Sequence, residues 1–390
     1  MSYKILTLNN ISVKGLRRLP RDTFEVASEI GHPDAILLRS YNMHDMEIPA
    51  TVQAIGRAGA GVNNIPIDAM THRGVPVFNA PGANANAVKE LVIAGMLLAA
   101  RNICPAWRYV QDLEAEGAAL NKLVEAGKKK FVGFELPART LGVVGLGAIG
   151  GEVANAAHSL GMRVIGFDPQ LTVERAWQLS SGIEQARSLD DLFSRADIVS
   201  FHVPLNDATR NLANAERIAL MPEGSVLLNF ARGGIVDDEA VESALAGNRL
   251  AAYVTDFPVA GLKDHPRVVA LPHLGASTAE AEENCAIMVA NNVRDYLENG
   301  NIRHSVNFPE AQMPREGDNR LTIANLNVPN MVGQISTCLA EEGLNIVDLL
   351  NKSRGPVAYT LVDVEGEITE PLRERLGNIE GVLNGQRSVS

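Results

Sequence analysis

The sequence predicts an α/β protein of three parts, and three observations carry this prediction. Short apolar strands alternate with helical stretches from the N-terminus to about residue 275, a pattern typical of parallel sheets covered by helices. A proline-rich and charged segment, 309–318, then interrupts the pattern and predicts a linker. Beyond the linker the predicted order is strand, helix, strand, strand, helix, strand, which is the ferredoxin-like plan.

The first part is expected to form a parallel sheet. Its predicted strands are 4–8, 35–38, 52–55 and 75–78. The apolar run 91–100 is too short to span a bilayer and predicts a buried helix. A long amphipathic helix is predicted over 277–298, with Ser277 as its cap and Glu280 completing a capping box. Because no strand follows it in the second part, we expect it to pack on the first.

The second part is expected to form a six-stranded doubly wound sheet. Its predicted strands are 141–145, 162–167, 198–201, 225–229, 251–255 and 268–271. In the third part we expect strands at 320–326, 344–350, 357–364 and, weakly, 381–389, and helices at 331–342 and 370–376. The predicted domains are therefore 1–99 with 280–308, then 100–279, and finally 319–390.

The composition narrows the classes of function. With 35 basic and 46 acidic residues the formal net charge is −11, which argues against general nucleic-acid binding. Neither a signal peptide nor a membrane span is visible. The three cysteines are widely spaced and match no disulfide or zinc framework. We therefore expect no bound metal and a reduced, cytoplasmic setting.

The segment 141–150, LGVVGLGAIG, predicts a dinucleotide site. An apolar strand precedes three glycines with the spacing G-x-G-x-x-G, and a helix follows them. Gly145 permits the tight turn, Gly147 lets a pyrophosphate approach bare backbone, and Gly150 lets the helix pack against the strand. The N-terminus of the helix then offers free N–H groups to the phosphates.

The same region predicts NAD as the cofactor. The next strand ends in Asp168, at about the 20-residue offset of a ribose-binding acid. Its carboxylate would accept hydrogen bonds from the ribose and repel a 2′-phosphate, which favours NAD over NADP. Further cofactor contacts are expected at the helix start and after the strand 198–201: Ala148, Ile149, His202, Val203 and Pro204.

Two arginines lie at predicted strand ends in the first part. Arg39 and Ser40 follow the strand 35–38, and Arg57 follows 52–55 within a glycine-rich turn, GRAGAG. Ligands in open parallel sheets bind beyond the carboxyl ends of the strands. The two guanidinium groups therefore predict a cradle for a phosphate or carboxylate. The alternative is that each arginine is a solvated surface residue.

Arg232 and His273 are the candidate catalytic residues. Each follows a predicted strand of the second sheet. An arginine can pair with a substrate carboxylate and polarise an adjacent carbonyl, and an imidazole can take a proton from an alcohol and return it. The alternatives are a salt bridge from Arg232 to a nearby acid and a structural role for His273. His202 is the other histidine that could act as acid and base, and we interpret it as part of the surface that contacts the cofactor.

Residues 1 to about 308 resemble the D-isomer-specific 2-hydroxyacid dehydrogenases. The matching segments occur in the family's order: GRAGAGVNNIP, VFNAPGANANAVKELV, LGVVGLGAIG, HVPLNDATRNL, NFARGGIVDDEA and LPHLGAST. The resemblance implies a flavodoxin-like substrate domain, a Rossmann-type NAD domain and hydride transfer between NAD and a phosphorylated 2-hydroxy acid. It also implies a homodimer or homotetramer that assembles through the NAD domains. The tail from about residue 319 resembles an ACT domain, which implies serine as an effector.

The resemblance also assigns a role to each candidate residue. Arg232 would bind the substrate carboxylate, His273 would be the acid and base, and Asp256 would neighbour the nicotinamide carboxamide. The other expected contacts are Ala231 and Gly275 to the cofactor, and Arg39, Ser40, Arg57, Ala60 and Gly61 to the substrate and its phosphate.

Two departures from the family pattern matter. The glutamate that supports the catalytic histidine is missing, since Val259 and Ala260 occupy its stretch. Another acid is therefore expected to support His273, or the enzyme works without one, and the candidates are Asp256, Asp264, Glu282 and Glu283. Lys89 stands where the family commonly has a small residue, and it either adds a phosphate contact or is solvated.

Two questions stay open at this point. Asn325, Asn327 and Asn345 match positions that contact serine in related enzymes, whereas Asn330 stands where the ACT turn usually ends in glycine. Asparagine tolerates the left-handed conformation, so the turn can form. The tail is therefore either serine-sensing or purely dimerising. For the whole chain, the alternatives are a glyoxylate or hydroxypyruvate reductase and a non-catalytic NAD-sensing scaffold.

Overall fold

The computed structural model describes residues 2–316 and 319–383, and the backbone of residues 387–389. The chain forms two compact units, Met1–Asn84 with Ala279–Ser390 (unit 1) and Ala85–Thr278 (unit 2). The chain first passes from unit 1 to unit 2 after Asn84, whereas the sequence predicted this boundary at residue 99. The reason is that helix α3 (Ala85–Ala100) packs into the core of unit 2.

Unit 1 contains the first parallel sheet. Its strands are β1 (Tyr3–Leu8), β2 (Phe24–Ala27), β3 (Ala35–Leu38), β4 (Ala54–Arg57) and β5 (Val77–Phe78), with helices α1 (Val13–Leu16) and α2 (Ile67–His72). The strand order is β2-β1-β3-β4-β5 with parallel pairing throughout, which is the flavodoxin-like order. β4 begins at Ala54 instead of residue 52, so Arg57 is the last residue of the strand.

Helix α11 (Ala279–Asn299) packs on this sheet. It crosses β4 at Gly56, where a Cβ atom would lie 2.7 Å from the side chain of Val289. A residue without a side chain is therefore needed for the close approach of helix and strand. The helix begins at Ala279 and Thr278 precedes it, so the predicted capping box at Ser277 is wrong.

Unit 2 contains a doubly wound parallel sheet. Its strands are β6 (Thr140–Val144), β7 (Arg163–Phe167), β8 (Ile183–Gln185), β9 (Ile198–Phe201), β10 (Ser225–Asn229), β11 (Leu250–Thr255) and β12 (Val268–Ala270). The order β12-β11-β10-β9-β6-β7-β8 places a switch point between β6 and β9, and ligands bind at such points. The helices are α3, α4 (Ile103–Gln111), α5 (Gly117–Gly127), α6 (Ala148–Ser159), α7 (Val173–Ala176), α8 (Leu189–Arg195), α9 (Ala215–Leu220) and α10 (Asp238–Ala246).

Two predictions for unit 2 need correction. The sheet has seven strands instead of six, because β8 is a short edge strand whose residues are partly exposed and form no apolar run. Helix α3 is buried along one face only, since Leu97 is 40% exposed. Within the described residues, no helix has both the length and the apolar character needed to cross a membrane.

The tail of unit 1 forms an antiparallel sheet with two helices. Its elements are β13 (Asn319–Leu326), α12 (Met331–Glu341), β14 (Asn345–Arg354), β15 (Val357–Glu365), α13 (Glu370–Gly377) and β16 (Arg387–Val389). The order β14-β15-β13-β16 is the ferredoxin-like arrangement predicted from the sequence. The last strand begins at Arg387, whereas 381 was predicted; residues 384–386 of that prediction and 317–318 of the linker lie outside the described residues.

Strands β13 and β15 of the tail sheet are buried on both faces. On one face Leu321 and Val362 pack against the helices α12 and α13. On the other, Tyr359 belongs to the same hydrophobic core as the first sheet and α11, and its hydroxyl donates a hydrogen bond of 2.8 Å to the carbonyl of Gly300. The tail is therefore continuous with the core of unit 1.

Candidate active site

The glycine loop of unit 2 has the shape of a phosphate-binding turn. Gly145 has φ +89°, and a Cβ atom there would lie 2.6 Å from the carbonyl oxygen of His202. At Gly150 a Cβ atom would lie 1.9 Å from the carbonyl oxygen of Gly145, whereas Gly147 has no atom within 4 Å of that position. The loop is thus closed on its inner side and open at Gly147, directly before α6. Bare backbone and a helix N-terminus are what a pyrophosphate needs.

Asp168, Ala148 and Ile149 surround this loop. Oδ2 of Asp168 accepts a hydrogen bond of 2.8 Å from the amide of Leu146, and Oδ1 accepts one of 2.9 Å from the amide of Gln170. These bonds fix the half-buried carboxylate at the end of β7 and leave acceptor capacity on both oxygens. Ala148 and Ile149 form the first turn of α6.

His202 lies under the glycine loop with Val203. The Oγ of Ser200 and Nε2 of His202 are 2.9 Å apart and hydrogen-bonded. Burial lowers the pKa of His202 to about 3, so the ring is neutral at physiological pH. A ring with so low a pKa is too weak a base to hold a proton taken from an alcohol, which favours His273 over His202 as the acid and base. Pro204 follows on the exposed side of the same segment.

Arg232 lies on a turn shaped by Asn229, the buried last residue of β10. The Nδ2 of Asn229 donates to the carbonyl of Arg232 (2.9 Å), and its Oδ1 accepts from the amide of Ala231 (3.2 Å). Nη1 of Arg232 donates to the carbonyl of Ala231 (2.7 Å). No ion pair to Arg232 occurs within the described part of the chain, so its exposed guanidinium is not part of a structural salt bridge there.

His273 is exposed just beyond β12 and packs on an aromatic ring. Its ring centroid lies 4.7 Å from that of Phe257, with the planes inclined by 50°. Asp256, at the end of β11, is 1% exposed. Among the described residues, neither of its carboxylate oxygens has a hydrogen-bond partner of normal geometry. Burial raises the pKa of Asp256, and His273 and the amides of Gly275 and Leu274 oppose that rise.

The four candidates for the missing glutamate are now distinguished by their contacts. Asp264 pairs with Lys263 at 2.9 Å, Glu282 with Arg39 at 2.7 Å and Glu283 with Lys14 at 2.7 Å. Asp256 has a pKa that burial raises and His273 lowers, and it directly precedes Phe257, which packs on the ring of His273. It is therefore the carboxylate best placed to act on the histidine.

Arg39 and Arg57 lie together in unit 1. Their strands β3 and β4 are neighbours, and Nε of Arg57 donates a hydrogen bond of 3.0 Å to the carbonyl of Arg39. The guanidinium of Arg57 lies over Gly59 (φ +151°), where a Cβ atom would approach Nη1 to 1.9 Å. Ser40, Ala60 and Gly61 are at least partly accessible beside it. Lys89 belongs to unit 2, and its Nζ donates to Oδ1 of Asn86.

Sequence reasoning missed three residues that shape these sites. Asn64 donates to the carbonyls of Arg39 (3.3 Å) and Tyr41 (2.7 Å) and so holds the segment that carries Arg39. The other two are Asn229 and Phe257. A polar residue ending the apolar strand SVLLN directly before ARGG was a usable signal for Asn229. Asn64 and Phe257 carry no comparable signal.

The three asparagines proposed for an effector do not form one site within a chain. Asn325 is fully buried, and its side chain bonds to Thr360 (3.3 Å) and to the carbonyl of Leu326 (2.7 Å). Asn325 and Asn345 pair with opposite ends of β15, at Ala358 and Glu365. Asn327 and Asn345 are exposed, while Asn330 has the left-handed φ of 64° that its turn requires.

Comparisons with known proteins agree on one family. The family described as "D-isomer specific 2-hydroxyacid dehydrogenase, NAD binding domain" matches residues 93–275. A D-3-phosphoglycerate dehydrogenase of Haemophilus influenzae is 35% identical over 345 residues, which cover 85% of this chain and 80% of that protein. The NAD⁺-bound 3-phosphoglycerate dehydrogenase of Entamoeba histolytica is similar in structure, with TM-score 0.61, 26% identity and coverage of 79% and 99% of the two chains. A glyoxylate reductase from Paecilomyes thermophila is also similar, with TM-score 0.62, 27% identity and coverage of 78% and 98%.

Proposed function

Because the chain belongs to the D-isomer specific 2-hydroxyacid dehydrogenase family, we propose that it is a D-3-phosphoglycerate dehydrogenase. It oxidises D-3-phosphoglycerate to 3-phosphohydroxypyruvate with NAD⁺, the first step of serine biosynthesis. The observation that carries the proposal is the position of Arg39 and Arg57 at the carboxyl ends of neighbouring parallel strands, where Nε of Arg57 donates to the backbone carbonyl of Arg39. Two guanidinium groups at neighbouring strand ends suit a phosphate dianion.

The residues of unit 2 fit the cofactor of the family. When bound, NAD⁺ supplies a nicotinamide ring that accepts a hydride at C4. The open backbone at Gly147 and the N-terminus of α6 would receive the pyrophosphate. The carboxylate of Asp168 would accept hydrogen bonds from the ribose hydroxyls and repel a 2′-phosphate. Further contacts are assigned to Ala148, Ile149, His202, Val203, Pro204, Ala231, Asp256 and Gly275.

We assign the proton transfer to His273 and the carboxylate contact to Arg232. The unprotonated imidazole takes the hydroxyl proton at C2 of the substrate, while the C2–H bond breaks and its hydrogen leaves as hydride. Arg232 can hold the carboxylate through two parallel hydrogen bonds, which fixes the orientation of C2. In the reverse direction the imidazolium returns the proton to the carbonyl oxygen.

Asp256 takes the supporting place of the missing glutamate in this proposal. The reaction creates a positive charge on His273, and a nearby buried anion stabilises that charge. Phe257 packs on the imidazole ring and restricts its orientation. Together Asp256 and Phe257 support and orient His273, the role that a glutamate has in the family.

The test is NADH oxidation with three acids side by side: 3-phosphohydroxypyruvate, hydroxypyruvate and 2-oxoglutarate. The proposed function predicts the highest kcat/KM with the phosphorylated acid. A preference for hydroxypyruvate would instead identify a reductase of unphosphorylated acids. NADH binding without turnover of any acid would identify a non-catalytic NAD sensor.

We also propose that the protein assembles through unit 2. Helix α4 has no buried residue. Its apolar residues Ile103, Trp107 and Val110 lie on one face at helical spacing and are 43%, 63% and 45% exposed. Val132 nearby is 78% exposed. An apolar helix face of this kind is typical of a subunit interface.

The Trp107→Glu substitution tests this assembly. A charge in the middle of the apolar face should convert the homodimer or homotetramer into smaller species, because an unpaired charge is costly in an apolar interface. Light scattering after size-exclusion chromatography measures the mass. The matched control is Trp177→Glu, at an 85% exposed tryptophan that directly follows α7. A monomeric wild type, or an unchanged mass for Trp107→Glu, would contradict the proposal.

Two finer proposals concern regulation and location. Serine is a candidate effector at the exposed Asn327 and Asn345, and inhibition by millimolar serine tests it; absence of inhibition favours a purely dimerising tail. A cytoplasmic location is supported by three free cysteines: Cys104, Cys285 and Cys338. Fractionation of the cells that make the protein measures this directly.

A further inference from the structure

The guanidinium of Arg39 is already paired with a carboxylate of the same unit. Nη1 of Arg39 lies 2.7 Å from Oε1 of Glu282, which belongs to the first turns of α11. The two side chains are 36% and 44% exposed, so solvent and small ligands can reach the pair. Glu282 therefore places a negative charge among the residues to which we assign the substrate phosphate.

The packing of α11 holds Glu282 at this position. Cys285, three residues further and on the same face of the helix, is buried. Burial raises the pKa of the Cys285 thiol, and the guanidinium groups of Arg57 and Arg39 oppose that rise. The face of α11 that carries Glu282 and Cys285 is thus directed at both arginines, and the contact at Gly56 anchors the helix on β4.

The charges in this group of residues oppose each other. Arg39 and Arg57 contribute two positive charges and Glu282 contributes one negative charge. A phosphate monoester carries close to two negative charges at neutral pH, so the carboxylate repels it while the guanidinium groups attract it. The Nη1 edge of Arg39 cannot serve the carboxylate and the phosphate in the same position. An acid without a phosphate has no need of Arg39 and leaves the ion pair intact.

We propose that Glu282 is a specificity-determining residue that competes with the substrate phosphate for Arg39. Binding of a phosphorylated acid replaces the Glu282–Arg39 pair with a phosphate–Arg39 pair. Glu282 therefore weakens the binding of phosphorylated acids and leaves the binding of unphosphorylated acids unchanged. This inference rests on the proposed function, because it takes the phosphate to be the group that Arg39 binds.

The test is the KM of the Glu282→Gln variant in NADH-dependent reduction. Glutamine keeps the size of the side chain and removes its charge. We expect the KM for 3-phosphohydroxypyruvate to fall by about threefold to fivefold, the range that an exposed ion pair of up to ~1 kcal/mol allows. The KM for hydroxypyruvate should not change. The Glu282→Asp variant retains the charge on a shorter side chain and should give an intermediate KM for the phosphorylated acid.

Glu283→Gln is the matched control. It removes the same charge from the neighbouring residue of α11, whose carboxylate pairs with Lys14 at 2.7 Å. Both KM values of this control should equal those of the wild type. A fall in KM that Glu283→Gln shares would show a general effect of net charge and would overturn the inference.

Three other results would also overturn it, and they separate it from the proposed function. An unchanged or higher KM of Glu282→Gln for the phosphorylated acid would mean that Glu282 does not compete for Arg39. An equal fall in KM for hydroxypyruvate would mean that the effect does not depend on phosphate. Both of these leave the proposed function standing if the wild type reduces 3-phosphohydroxypyruvate. A wild type without that activity would refute the proposed function and this inference together.

Discussion

At the scale of single residues, Asp256 is a buried carboxylate that is unfavourable for the stability of the fold but has a role in the proposed reaction. Its carboxylate is 1% exposed and lacks a well-formed hydrogen bond among the described residues. Burial raises its pKa, which means that the folded state binds the proton more tightly than the unfolded state. Stability is therefore lost as the pH rises from the unfolded pKa through the folded pKa. The charge that destabilises the protein at neutral pH is the charge that we assign to the support of His273.

Asp256→Asn should therefore be more stable and less active than the wild type. Asparagine removes the buried charge, so the midpoint of thermal unfolding at pH 7 should rise. We expect kcat/KM for phosphoglycerate oxidation to fall about tenfold to hundredfold, less than the full contribution of a general base. Oxidation needs the unprotonated imidazole, and asparagine no longer supplies the anion that favours protonation of His273, so the acid limb of the pH profile should lie at lower pH in Asp256→Asn than in the wild type.

The control for this variant is Asp264→Asn. Asp264 is exposed and paired with Lys263, so both the unfolding midpoint and the pH profile should match the wild type. An Asp256→Asn enzyme with unchanged kcat/KM and an unchanged pH profile would remove Asp256 from the mechanism.

At the scale of elements, strand β6, the glycine loop and helix α6 show that two glycines of one loop have different roles. Gly150 is required by packing, because a Cβ atom would lie 1.9 Å from the carbonyl oxygen of Gly145. Gly147 is not required by packing, since no atom lies within 4 Å of the corresponding position. The open space at Gly147 is therefore available to a ligand.

Alanine substitutions at these two glycines should have different effects. Gly147→Ala should leave the unfolding midpoint nearly unchanged and weaken NAD⁺ binding by about tenfold or more, because the methyl group occupies the space of the pyrophosphate. Gly150→Ala should lower the unfolding midpoint, because backbone must move to relieve the clash. Calorimetric titration and thermal unfolding of both variants measure this. Equal NAD⁺ affinity of Gly147→Ala and the wild type would show that the cofactor does not bind there.

Elements with strong local patterns could be predicted from the sequence, whereas the two edge strands β2 and β8, which lack such a pattern, could not. Strands such as β9 and β10 are buried throughout, so their apolar runs matched the structure. β2 and β8 lie at the edges of their sheets and are partly exposed, and their composition therefore resembles that of loops.

The candidate site was predictable only in its charged and glycine residues. Arg39, Arg57, Arg232 and His273 lie at or just beyond the ends of strands, where the topology of parallel sheets places ligand-binding groups. The pairing of Arg39 with Glu282 was not predictable, because it joins residues far apart in sequence through the return of α11 to the first sheet. The buried position of Asn325 likewise depends on tertiary packing.

At the scale of the whole molecule, a buried arginine of the tail, paired with an aspartate of the tail sheet, connects the tail to the rest of unit 1. Arg320 and Asp363 are fully buried and form two hydrogen bonds of 2.5 and 2.8 Å. Arg320 also donates to the carbonyls of Asn299 (3.0 Å), Met313 (2.9 Å) and Pro314 (2.7 Å). A single guanidinium therefore connects the end of α11, the linker and the tail sheet, so we expect the tail to unfold together with unit 1.

Asp363→Ala should lower the free energy of unfolding by about 3–5 kcal/mol, because it leaves a buried guanidinium without a counter-charge. The double variant Arg320→Met with Asp363→Leu should recover much of this loss, since it leaves no unpaired charge. Urea unfolding followed by circular dichroism measures both. A loss below about 1 kcal/mol for Asp363→Ala would contradict the expected cost of a buried guanidinium without a counter-charge.

The central claim is that Arg39 and Arg57 anchor a substrate phosphate, and Arg57→Ala tests it most directly. The measurement is kcat/KM for 3-phosphohydroxypyruvate and for hydroxypyruvate, in the wild type, in Arg57→Ala and in the control Arg17→Ala at an exposed arginine of the same unit. We predict a loss of about a hundredfold for the phosphorylated acid, because a charge-assisted contact of ~3 kcal/mol is removed. The loss for hydroxypyruvate should be less than about threefold, and Arg17→Ala should resemble the wild type. Equal losses for the two acids in Arg57→Ala would contradict the assignment of the phosphate.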